Sequence, residues 1–124
     1  MDMQTAFNKS YLGLIKQGKP AFNKLEDACK YRMRDGSHII KCAIGHLIPK
    51  KDYIPSFENK EADRIWNSLP LGIQELPVAF VMDLQNCHDK WATKYATFSG
   101  WKKDMRAIAE KWKLKVPKQN RKAA

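Results

Sequence analysis

The chain has 124 residues, enough for one modest core. With 44% hydrophobic residues and four tryptophans it is too apolar to be a disordered protein. No run approaches the roughly 18 apolar residues of a membrane-spanning helix, and the first residues lack the basic-then-apolar order expected of a signal peptide. The net charge is +10 and unevenly placed: residues 1–89 set 12 Lys and Arg against 11 Asp and Glu, whereas residues 90–124 set 11 against two. A basic C-terminal third attracts anions.

Phe7, Tyr11, Leu14 and Ile15 form one helical stripe, and Gly18 and Pro20 end that helix. Residues 21–28 read as a connection or a short helical turn. Between 29 and 42, Cys29, Tyr31 and Met33 alternate with Lys30, Arg32 and Arg34. Asp35-Gly36 is a hairpin-turn pair, and residues 39–41 return as a second strand. Tyr31 and Met33 are expected to face the core and the three cations to face out. Residues 42–48 predict one or two helical turns stopped by Pro49, with Ala43 and Gly45 small enough for close backbone approach.

Residues 58–68 read as a polar helix turning Ala62, Ile65, Trp66 and Leu69 inward. From Pro77 a stronger helix puts Val78, Val81, Leu84, Gln85, His88 and Trp91 on one face. A last helix, with Ser99 as the expected cap, carries Trp101, Met105, Ile108 and Trp112 on one stripe and Lys102, Arg106 and Lys113 on another. The expected fold is mainly α (α+β). It is a single domain over 1–114 of four to five helices with one short β-hairpin near residues 29–42, followed by a basic, flexible tail over 115–124.

Several constellations carry chemistry. Cys42 as nucleophile with His88 as base would make a hydrolase or transferase. Asp89, next to His88 on a helix, points about 100° away and is poorly placed to orient it. A cysteine packed as a small hydrophobe is the plainer reading of Cys42. Cys29, Cys42 and Cys87 with one of His38, His46 or His88 offer zinc-type ligands, yet no close Cys pair is present, so neither a metal nor another cofactor is expected. Three cysteines without an export signal suit free thiols in a reducing cytoplasm.

Lys30, Arg32 and Arg34, about 6.6 Å apart along one strand face, match phosphate spacing, and Lys41 adds a fourth cation. Cations also blunt exposed strand edges. Lys102 and Arg106 extend the basic character to the last helix. Gln85 and His88, polar side chains on an apolar helix face, demand partners, for which residues 43–45 are the first choice. Tyr31 and Asp89 join them as pocket-lining or structural polar groups.

The pattern C-x-Y-R (Cys29, Tyr31, Arg32), then K-C-A-I-G-x-L-I-P (Lys41 to Pro49), Tyr53, Glu58 and L-Q-x-x-H-D (Leu84, Gln85, His88, Asp89) resembles small uncharacterised proteins of tailed bacteriophages. The resemblance spans most of residues 22–112, and KCAIGHLIP is its most specific part. It implies a phage product acting in the cytoplasm of an infected bacterium, a setting in which small proteins often counter host defence. It supplies no activity.

The sequence therefore favours a binding protein over an enzyme. The expected partner is an anionic ligand, either a nucleotide or nucleic acid, or else an acidic host protein. No membrane partner is expected, and self-association into a homo-oligomer is compatible with the chain.

Overall fold

The computed structural model describes residues 1–93 and 95–118. Helix α1 (Met3–Gln17) begins where the Asp2 carboxylate accepts the Thr5 N–H at 2.8 Å, and it ends at Gly18. Gly18 has φ 74°, a left-handed conformation that costs glycine least. The helix buries Phe7, Tyr11 and Leu14 of the expected stripe, together with Ala6 and Ser10.

Residues 21–29 form a small antiparallel hairpin rather than a connection or helical turn. Strands β1 (Phe22–Asn23) and β2 (Ala28–Cys29) pair Phe22 with Cys29 and Asn23 with Ala28. The Asn23 side chain accepts the Glu26 N–H at 3.1 Å and closes the turn. Two residues per strand are too few to leave an alternating signature. Cys29 thus belongs to this first hairpin, and the expected single hairpin over 29–42 is two.

The second hairpin joins β3 (Arg32–Asp35) to β4 (His38–Lys41), in the register Arg32↔Lys41, Met33↔Ile40, Arg34↔Ile39 and Asp35↔His38. Gly36 takes the first loop position with φ 63°, the place where a two-residue type II′ loop calls for glycine. Arg32, Arg34, Ile39 and Lys41 share one face, and Met33, Asp35, His38 and Ile40 share the other.

Residues 42–48 fold as a tight turn with a 3-10 segment at Gly45–Leu47. A Cβ on Gly45 would overlap the Tyr31 carbonyl oxygen, so this segment lies against the chain entering β3. The expected 58–68 helix is a 3-10 segment limited to Ala62–Ser68, with Ala62, Ile65 and Leu69 buried and Trp66 half-buried. Helix α2 (Leu71–Gln74) leads to α3 (Val78–Ala92) and α4 (Phe98–Lys111). Thr97, not Ser99, caps α4: its hydroxyl accepts the Gly100 N–H at 3.0 Å.

The core lies where α1, α3 and α4 meet, joined by the turn at Gly45–Leu47. Trp101 is at its centre, stacked on Tyr11 from α1 and Trp91 from α3 at centroid distances of 5.5 and 5.0 Å. The packed chain runs beyond residue 114. Gln4 accepts the Lys115 N–H at 2.9 Å and donates to its carbonyl at 2.8 Å, and Val116 packs against the core. Of the expected basic tail, residues 119–124 lie outside the described residues. No helix among the described residues is long and apolar enough to cross a membrane.

Candidate functional site

Helix α3 carries two buried polar side chains on its inner face, and both are fully engaged. Gln85 accepts the Ala62 N–H at 2.9 Å and donates to the Tyr31 hydroxyl at 3.0 Å, which in turn donates to the Lys60 carbonyl at 2.6 Å. The Tyr31 phenol is held in its protonated form by burial. His88 is completely buried, and its Nε2 accepts the Ala21 N–H at 3.0 Å. The partners are the Ala62 and Ala21 N–H groups and the Tyr31 hydroxyl, not residues 43–45 as the sequence suggested. α3 thus pins three loops to itself through two side chains.

The other nitrogen of His88 corrects a second expectation. Nδ1 lies 3.0 Å from Asp89 Oδ1, so the adjacent carboxylate does meet the ring. The Cβ vectors diverge by about 100° along the helix, but Nδ1 lies near the backbone and a short aspartate side chain bends back to reach it. Because Nε2 receives a proton donor, the ring proton sits on Nδ1 and points at Asp89.

The Cys29 thiol lies beside this pair. Donor atoms of Cys29, His88 and Asp89 all lie within 4.8 Å of one another. The imidazole that a thiol would use as a base already holds Ala21 N–H on one nitrogen and Asp89 on the other. A nucleophilic cysteine needs an imidazole nitrogen free to take its proton, and neither is free here. Burial and the Asp89 charge both push the Cys29 thiol up, the reverse of activation.

The expected Cys42–His88 pair is not formed. His88 has both nitrogens occupied elsewhere, while the Cys42 sulfur accepts the Gly45 N–H at 3.3 Å. Burial pushes the Cys42 thiol up to about 12. Cys42 is a packed hydrophobe that helps set the tight turn.

The zinc-type side chains are spread through the fold. Cys87 faces Trp101 on the far side of α3, and His46 lies against Gly13 of α1, its Nε2 3.1 Å from the Gln17 side-chain oxygen. Cys29, His88 and Asp89 do not fit a metal ion in this arrangement. A ligating imidazole nitrogen must offer a lone pair, and the one lone pair here is taken by Ala21 N–H. Cys29, Tyr31, Cys42, Gln85 and Asp89 instead line a cleft of about 250 Å³.

The cations predicted to grip phosphate divide in two. Lys30 precedes β3, is buried, and pairs with Glu26 at 2.6 Å. It does not share the strand face. Arg32 and Lys41 do: they are directly opposite across the hairpin, with Arg34 on the same face. Glu58 does not neutralise them through an ion pair. Its two oxygens accept the N–H groups of Tyr31 and Arg32 and the Tyr53 hydroxyl. Burial and Arg32 lower the Lys41 ammonium from its ordinary value.

Lys102 and Arg106 lie on α4, where with Phe98, Ser99 and Lys103 they line a separate depression of about 310 Å³. Among the described residues none of these three cations has a carboxylate partner. Asp104 and Asp83 pair instead with Lys90 and Lys111.

No protein-family model matches the chain, and no curated protein or solved structure is similar to it.

Proposed function

We propose that this chain is a binding protein whose basic surface takes an anionic ligand, a nucleotide or nucleic acid. The observation that carries this reading is the Arg32–Lys41 pair. Two like charges directly opposite in a two-stranded ribbon destabilise it. Lys41 is already less willing to hold its proton there. An anion placed between them removes the repulsion and gains two charge-assisted contacts. Lys102, Lys103 and Arg106 on α4 supply a second group of cations for a longer polyanion. The resemblance to small phage proteins favours an infected bacterial cytoplasm as the setting, where withholding a nucleotide signal or shielding nucleic acid from host defence is the role it suits.

The Cys-His enzyme reading draws no support from a thiol held next to a carboxylate and an imidazole with no open nitrogen. Fluorescence anisotropy of a labelled single-stranded oligonucleotide at low salt, with nucleoside phosphates as competitors, tests the proposal. Binding that Arg32→Gln with Lys41→Gln weakens about tenfold supports it. An absence of binding to every nucleotide and oligonucleotide refutes it.

A further inference from the structure

The inner face of the β3–β4 hairpin does not close onto the body of the protein. Between it and the α3–α4 junction lies a groove of about 750 Å³, within the size range of small-molecule sites. Ile40 and Trp91, both buried, form its floor, and half-buried Phe22 and Met33 form its walls. The polar groups are few. Lys19 and Asp35 form an ion pair at one edge, and the groove also takes in Lys24, exposed and without a carboxylate partner among the described residues. Thr97 adds a hydroxyl near the opposite wall.

We infer that this groove binds a nucleoside phosphate. Two ammonium groups against one carboxylate leave the groove with a net positive charge, which matches a phosphate and opposes a neutral or cationic ligand. The apolar walls suit a flat base. Met33 and Phe22 are the side chains it would contact, and a thioether and an aromatic ring both pack favourably against aromatic rings. Asp35 uses one oxygen for Lys19 and keeps the other for a ligand hydroxyl. A purely acyl anion would use the apolar walls and an ammonium but leave that acceptor unused; a free phosphate would leave the walls uncovered.

This site rests on the proposed function only in that the ligand is anionic. The cations differ: Arg32, Arg34 and Lys41 are on the outer face of the same hairpin, so the two sites separate by mutation.

Calorimetric titration at low salt with adenosine monophosphate, adenosine, inorganic phosphate and decanoate tests it. The expected result is saturable binding of the monophosphate, at least about tenfold tighter than any of the other three. Met33→Trp, which fills the groove, and Lys24→Glu, at an exposed position that leaves the fold intact, should each weaken the monophosphate about tenfold or more. Decanoate binding more tightly than the monophosphate, no preference over inorganic phosphate, or insensitivity to Lys24→Glu would overturn the assignment. Oligonucleotide binding through the outer face would survive any of these.

Discussion

The His88 ring donates from Nδ1 to the carboxylate of its own chain neighbour, Asp89, across 3.0 Å, and the Cys29 thiol lies beside this pair. With both ring nitrogens engaged, what looks like a nucleophile's apparatus is a structural clamp. The clamp holds the first hairpin to α3, since the other ring nitrogen receives Ala21 N–H just before β1.

A clamp predicts loss of stability. His88→Ala leaves the Ala21 N–H without its acceptor and opens a cavity in a fully buried place. The expected cost is about 3 kcal/mol, read as a lower urea midpoint with an unchanged slope. A change below about 0.5 kcal/mol would show that the bond is dispensable.

Thiol reactivity gives a separate check. With Cys29 pushed up by burial and by Asp89, peptide-resolved alkylation at pH 8 should run about tenfold or more slower than for an ordinary cysteine. Asp89→Asn removes the adjacent charge and should accelerate it. Rapid alkylation of Cys29 or Cys42 near neutral pH would restore the enzyme reading.

His46 provides the pH dependence. Burial, with the Lys41 charge, lowers it to about 4 from an ordinary 6.5. Between those values the unfolded chain binds a proton that the folded chain refuses. Its contribution is therefore complete above pH 6.5 and is lost as pH falls toward 4, by about 3 kcal/mol at most. Urea unfolding at pH 4.5 and 7 should show this fall, and His46→Gln should flatten it.

Gly45 is the tightest point of the KCAIGHLIP segment. Gly45→Ala drives a methyl into the Tyr31 carbonyl, where only backbone movement makes room. The expected destabilisation is about 3 kcal/mol, at the upper end for overpacking, measured as a lower melting temperature.

The long elements were legible from the sequence because their signals are periodic. The stripe through Phe7, Tyr11 and Leu14, the α3 face carrying Gln85 and His88, and the alternation around Met33 all reappear as buried faces or strand registers. The misses have local physical causes. Strands of two residues cannot show a period, so β1 and β2 were hidden. Glu26, four residues before Lys30 and across the turn, neutralises it; sequence spacing alone could not distinguish this from an outward strand position. Thr97 and Ser99 are equally good caps by type, and only the starting point of α4 decides between them. The His88–Asp89 contact depends on side-chain rotamers, which helical direction alone does not determine.

The central claim rests on cations at the hairpin's outer face that have no ion-pair partner among the described residues. The salt dependence of single-stranded oligonucleotide binding, compared between the native chain and a variant with Arg32, Arg34 and Lys41 all changed to glutamine, tests it most directly. Each phosphate contact contributes about 0.7 to the slope of log K against log salt for a single strand, so the variant's slope should be shallower by about 2. An identical slope in the two proteins would contradict the account.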